Sequence, residues 1–275
     1  MKLANSDGRA VLVLGDEVAD VALATDGRFG PDPMGLYDDW PAFVEAAGTI
    51  TTGTGPLVEA DLRNPAPAPR QVLGIGLNYR THAEESGMAL PEVPAVFTKF
   101  PVSLAGPFDD VELVTGSVDW EVELVVVMGT RAVHVPEAEA WGHVAGLTVG
   151  QDLSDRHLQF AAGAQFSLGK SRPGYGPMGP WVVTVDELGD PDDLALGCSV
   201  DGEAVQDART SDLVFGVPRL IAELSGVMPL LPGDVIFTGT PAGVGFTRQP
   251  PVFLAPGQVI ESWIEGIGTI RNRCR

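Results

Sequence analysis

From Gln71 onward the chain is a succession of short apolar or alternating runs separated by Gly and Pro, a pattern of β-strands. Runs at 72–77, 95–98, 122–128, 144–149, 181–185, 235–238 and 259–264 carry it most plainly. One stretch has helical spacing. Leu213, Val217, Leu220, Ile221 and Leu224 form a single apolar stripe with Gly226 as a stop, which predicts a helix over 213–225. Nearer the N-terminus, 10–14 and 18–23 read as a hairpin around a turn at 15–17. Asp39, Pro41 and Gly48 frame a helix over 39–47 with an acidic cap, an early proline and a glycine stop. The Pro/Ala stretch 64–69 is a stiff, extended spacer, so a small α+β unit is expected over 1–70 and a larger strand-rich domain over 71–275. Many strands with few helices predict an α+β fold and argue against a doubly wound parallel sheet.

The run 119–129 contains the first candidate chemistry. Residues two apart in a strand share a face, so Glu121 and Glu123 point the same way with Cβ atoms about 6.5–7 Å apart. Such a pair can lie on a solvated face, or it can sit at the mouth of a core strand and require a cation. Asp152 ends another apolar run 29 positions after Glu123 and could join the pair. Three carboxylates without cysteine or an obligatory histidine suit Mg²⁺, Mn²⁺ or Ca²⁺ rather than zinc. In Asn78-Tyr79-Arg80-Thr81-His82-Ala83-Glu84-Glu85, a helical turn puts His82 and Glu85 on one face, where a carboxylate can orient an imidazole; an ordinary surface helix is the other reading. Arg156 and Gln159, four and seven residues after Asp152, would extend a helical face away from the metal. Lys170, among Gly and Pro, can reach an anion or remain a solvated loop lysine.

Composition narrows the partners. The chain has 275 residues, 44% of them apolar, enough for a full core. Its formal charge of −20, from 37 acids and 17 bases, repels nucleic acid and anionic membranes. No apolar run is long enough to span a bilayer and the first thirty residues lack a signal-peptide pattern, so a cytoplasmic location is expected. Cys198 and Cys274 have no C-x-x-C partner. Gly169-Lys170-Ser171 fails as a P-loop because Ala164 stands where the first glycine belongs. Gly74-Ile75-Gly76 lacks the third glycine of a dinucleotide fingerprint, and there is no G-x-S-x-G.

Over roughly 71–273 the order and spacing of several motifs resemble the fumarylacetoacetate hydrolase superfamily. They are Asn78-Tyr79-x-x-His82-x-x-Glu85, Phe97-x-Lys99, Asp119-Trp120-Glu121-Val122-Glu123-Leu124, Gln151-Asp152 with Arg156 and Gln159, Lys170, Gly176-Pro177-Met178-Gly179-Pro180, and the run from Leu231 to Pro241 containing Thr238-Gly239-Thr240. The resemblance implies a mixed β-sandwich roll of that family's C-terminal type, usually a homodimer. It implies Glu121, Glu123 and Asp152 as ligands to Mg²⁺ or Mn²⁺, with Ca²⁺ possible in a crystal. His82 and Glu85 would activate water, and Lys170 would assist electrostatically. Tyr79, Arg156, Gln159 and Thr240 fall on the substrate side. Two departures stand out: Trp120 replaces a frequent tyrosine, and Arg172 stands where many relatives carry an apolar or aromatic residue, either as a carboxylate clamp or as a surface charge. The implied activity is hydrolysis of a C–C bond in a 2,4-diketo acid of the acylpyruvate, fumarylpyruvate or fumarylacetoacetate kind through a metal-stabilised enolate. A decarboxylase, hydratase or isomerase of a 2-oxo acid is the alternative, and a non-catalytic metabolite-binding protein the lesser one.

Overall fold

In the computed structural model, which describes residues 1–161, 163 and 165–275, strand Val122–Met128 is buried along its whole length. Its side chains alternate between two cores. Val122, Leu124, Val126 and Met128 enter the larger one with Leu147, Val149, Leu196, Ile260 and Ile264. Val125 and Val127 enter the other with Leu3, Trp40, Phe43, Val182 and Phe237. Burial on both faces is why this strand reads as a nearly unbroken β-branched run. Glu121 and Glu123 belong to the Val125 side by the same two-residue period, as expected.

Antiparallel Val144–Gln151 lies on one side of this strand, with Val125 opposite Thr148, and Val235–Phe237 on the other, with Val126 opposite Ile236. The sheet continues from Val235–Phe237 to parallel Val72–Gly76 and then to Ala95–Thr98 at the edge. In the other direction it passes through Gly176–Val183 to Lys2–Ser6, Arg9–Leu14 and Glu17–Asp20. Residues near the N-terminus thus pair with this sheet, Leu3 against Val182, and Tyr37, Trp40 and Phe43 fill its second core. A four-stranded antiparallel sheet, Glu203–Arg209, Ala195–Val200, Val259–Ile264 and Gly268–Arg273, closes the larger core together with helix Val217–Val227. The protein is a strand-rich mixed α+β fold. No helix among the described residues is long and apolar enough to cross a membrane.

Close approach of strands needs glycine at two points. A Cβ on Gly146 would lie 2.3 Å from the Val183 carbonyl oxygen, and one on Gly150 2.4 Å from Val125 Cγ2. Gly146→Ala therefore forces backbone apart rather than a flexible side chain, and a destabilisation of about 1–3 kcal/mol is expected. Urea unfolding checks it; a midpoint identical to that of the wild type would contradict the close fit.

Several expected boundaries shift for identifiable reasons. The hairpin is present, but its second strand stops at Asp20, whose side chain accepts from Leu23 N and caps a helical turn, Val21–Ala24. Helix Trp40–Ala47 has Asp39 as its cap and Gly48 beyond its end, as expected. The predicted helix over 213–225 begins later, at Val217, because Pro218 fits only its first turn; it runs through Gly226 to Val227. The run expected over 181–185 is the end of a longer strand, Gly176–Val183.

Candidate functional site

The pairing of Val122 with Gln151 sets Asp152 beside Glu121, and Asp152 N donates to the Glu121 carbonyl oxygen at 2.9 Å. Glu121, Glu123 and Asp152 each present a carboxylate oxygen within 4.8 Å of the others, all buried. The three expected ligands therefore converge. The Thr-Gly-Thr loop fixes one of them: Gly239 N donates to Glu123 Oε2 at 2.7 Å, while Thr238 and Thr240 hydroxyls donate to the Leu124 and Val122 carbonyls. Gly239, at φ 101°, approaches so closely that a Cβ would lie 2.7 Å from that of Asn78.

Cations surround two of these carboxylates. Lys170 Nζ is 2.5 Å from Glu121 Oε2, and Arg156 Nη1 is 2.7 Å from Glu121 Oε1. Burial opposes ionisation of Glu121, but these two charges outweigh it and hold its carboxyl at about 2. Lys99, fully enclosed, donates to Asp152 Oδ1 at 2.6 Å, to the Tyr175 carbonyl at 3.1 Å and to the Lys170 carbonyl. Glu123 has no cationic partner among the described residues. Burial, then the charges of Asp152 and Glu121, push its carboxyl well above the ordinary range. Asp152 Oδ2 lies 2.8 Å from Lys170 Nζ but off the line of a hydrogen bond, and is left without one. Four buried carboxylates, with Asp119 as the fourth, thus face three cations, Lys99, Arg156 and Lys170. The unmet charge falls on Glu123, Asp152 Oδ2 offers an oxygen without a hydrogen bond, and the donors are all oxygen. The residues fit a hard divalent cation.

Asp119 anchors the periphery. Its carboxylate accepts from Arg156 Nε and Nη2 at 2.8 and 2.6 Å, and from the backbone of Gly245 and Phe246 at 2.7 and 3.0 Å. Asp119→Asn keeps the shape but weakens these charge-assisted bonds, so a loss of about 2 kcal/mol is expected, with faster hydrogen exchange at Gly245 and Phe246. Unchanged exchange at both amides would refute the anchor.

Beyond strand Val72–Gly76, Leu77 adopts φ 53° and the chain turns into the short helix Arg80–Glu85. Asn78 ties this turn down, donating to the Phe215 and Thr238 carbonyls and accepting from Phe215 N. His82 Nδ1 is 3.0 Å from Glu85 Oε1, and Glu85 Oε2 accepts from Gly243 N at 2.9 Å. His82, Glu85, Glu121, Arg156, Gln159, Lys170 and Thr240 all line one cavity of about 520 Å³, within the size range of small-molecule sites.

Of the three carboxylates only Glu121 lines this cavity, with Glu123 and Asp152 behind it, and two substrate-side candidates lie elsewhere. Tyr79 is fully buried, its hydroxyl without a hydrogen bond, and it does not line the cavity. Arg172 is also outside the lining; its Nε and Nη2 grip Asp155 Oδ2 at 2.9 and 2.8 Å. The face of Arg156 is a correction. Asp152 is not on its helix, which starts at Arg156 after the short strand Ser154–Asp155, so Arg156 turns toward the carboxylates instead of away. Gln159 Oε1 accepts from Arg156 Nη1, and Thr240 Oγ1 from Gln206. Lys99 and Asp119 had no role assigned from sequence. The signal was the two-residue spacing in the sequence: Lys99 stands two after Phe97, and Asp119 two before Glu121.

Residues 71–275 match the family described as Fumarylacetoacetate (FAA) hydrolase C-terminal. The chain belongs to the fumarylacetoacetate hydrolase family. Its fold is similar to a Mycobacterium smegmatis crystal structure provisionally named HpcE: 55% identity, TM-score 0.95, covering 100% of this chain and 99% of that one. It is also similar to maleylpyruvate hydrolase from Sphingobium sp. SYK-6 in complex with manganese(II) and pyruvate, at 31% identity and TM-score 0.80, covering 100% and 98%. A third similar structure, provisionally named a 2-hydroxyhepta-2,4-diene-1,7-dioate isomerase from Mycobacterium abscessus, gives 28% identity and TM-score 0.84, covering 100% and 97%.

Proposed function

We propose that the protein is a Mg²⁺- or Mn²⁺-dependent hydrolase that splits a C–C bond in a 2,4-diketo acid to give pyruvate and a carboxylic acid. The observation that carries this reading is the His82–Glu85 pair beside the carboxylate cluster. Ionised Glu85 can only accept, and both its oxygens are taken, by His82 Nδ1 and Gly243 N. His82 therefore keeps its proton on Nδ1 and has Nε2 free as a base, with Glu85 orienting it. A water gives a proton to Nε2 and its oxygen bonds to the distal carbonyl carbon. The bond between that carbon and the central CH₂ then breaks, its electron pair passing to the CH₂ carbon and the neighbouring keto oxygen; protonation of that carbon gives pyruvate. Lys170 and Arg156 supply positive charge in the same cavity for the oxygen that becomes negative. A divalent cation held by Glu121, Glu123 and Asp152 would act as a Lewis acid on the 2-oxo acid group.

The similarity to an isomerase-named structure supports a second reading, in which the protein is an isomerase, hydratase or decarboxylase of a 2-oxo acid. One experiment separates them: incubation with acylpyruvates and with oxaloacetate in Mg²⁺ or Mn²⁺, products identified by NMR. Pyruvate plus an acid from an acylpyruvate is the expected result. Carbon dioxide from oxaloacetate with acylpyruvates untouched would transfer preference to the second reading.

A further inference from the structure

We propose that the cavity contains a tail-binding subsite for an apolar, aromatic group, so that the preferred substrates are aryl-tailed 2-oxo acids and not dicarboxylates; this rests on reading the cavity as a 2-oxo acid site. Four rings run through its wall. Phe97 and Phe166 stand edge to face at 6.0 Å, Phe166 and Phe160 at 6.0 Å, and Phe160 and Phe246 lie 5.3 Å apart. They come from three stretches of the chain, Phe160 and Phe166 from the same one, yet line one cavity, with Met88 and Val244 also in its lining. The row is flanked by cations: Lys170 Nζ is 5.4 Å from the Phe97 centroid, and Arg156 Cζ 5.9 Å from that of Phe246. An acid head held between these two cations, which meet at Glu121, would rest its tail against the rings. Phe160 and Phe246 remain 46% and 42% exposed, an apolar surface that a tail would cover.

A second carboxylate finds no such place. The cationic or titratable nitrogen groups in the lining are His82, Arg156 and Lys170 among the described residues: Arg156 and Lys170 are the two that would face the acid head, and His82 is held by Glu85, which leaves no further cation for a tail carboxylate. A tail carboxylate would lose hydration against ring faces that carry partial negative charge.

Titration calorimetry in Mn²⁺ tests this with phenylpyruvate, 2-oxoglutarate and tail-less oxalate. Phenylpyruvate is expected to bind about tenfold more tightly than 2-oxoglutarate, and Phe160→Ala and Phe246→Ala should each bring the ratio to within about twofold. Truncating Phe246 leaves its loop anchored, because its backbone N–H, not its ring, is held by Asp119. Equal or tighter binding of 2-oxoglutarate by the wild type, or a ratio unmoved in both variants, overturns the subsite. Binding requires no turnover, so inactivity on every acylpyruvate would sink the hydrolase reading alone. Failure of all three ligands to bind, oxalate included, would sink both.

Discussion

His82→Gln is expected to lower kcat on the best acylpyruvate by about 10²–10⁴, the usual contribution of a positioned general base. Glu85→Gln should come within roughly an order of magnitude of that loss, as when an orienting carboxylate becomes an amide and the imidazole takes the wrong tautomer. An amide nitrogen at residue 85 can donate to Nδ1, moving the proton to Nε2 and leaving no base toward the cavity. Neither change touches the carboxylate cluster, so Mn²⁺ affinity should be nearly unchanged in both, measured by calorimetry beside steady-state kinetics. Wild-type turnover in His82→Gln would remove the assigned base; lost Mn²⁺ affinity would mean that the pair acts through the metal site. The pH sign is also fixed. Burial raises the proton affinity of Glu85, but His82 and Gly243 outweigh it and hold its carboxyl below its ordinary value of 4.5. Its folded-state contacts therefore contribute fully above pH 4.5 and are lost as pH falls through the lower folded value. Acid inactivation above pH 4.5 would have to come from another group.

The parts of this site that could be read from sequence are those governed by a period of two. Glu121 and Glu123 share a face because they continue the alternation of a strand whose next inward residues are Val125 and Val127. Asp152 followed from the expectation that a second apolar run ends nearby, and the observed register, Val122 with Gln151, supplies that neighbour. The direction of Arg156 was not legible, because it depends on a two-residue pairing, Ser154–Asp155 with Val118–Asp119, that interrupts any helix from Asp152. Asp119 and Lys99 sat in plain alternation, yet a hydrophobicity pattern does not mark a charged residue as inward. Arg172 differs again: its partner Asp155 is distant in sequence, and nothing local distinguishes an ion-paired arginine from a free one.

Lys99→Met is expected to cost about 3–5 kcal/mol of stability in the presence of a chelator, because it removes one member of a buried ion pair and leaves the other. Two effects compete. Exchanging a whole buried ion pair for apolar groups is often neutral, since both desolvation penalties disappear together. Here only Lys99 goes. Asp152 Oδ1 and the Lys170 carbonyl lose the Lys99 donor inside a site already holding more carboxylates than cations, while the Tyr175 carbonyl keeps Leu153 N–H. The uncompensated charge should therefore outweigh the gain from burying a thioether. Burial, opposed by Asp152, pushes the Lys99 ammonium below its ordinary value, so the pair is costly to form even before it is broken. Saturating Mn²⁺ should recover part of the loss, because a cation that binds only the folded state stabilises it and replaces the missing charge. Lys99→Met combined with Asp152→Leu should unfold at higher urea than Lys99→Met alone, since the second change removes the stranded carboxylate. Urea titrations of the two variants and the wild type, with chelator and with Mn²⁺, give all of these numbers. A Lys99→Met loss below about 1 kcal/mol, or a double variant less stable than the single one, would mean that Asp152 finds its counter-charge in Lys170 and that Lys99 is not the group holding it.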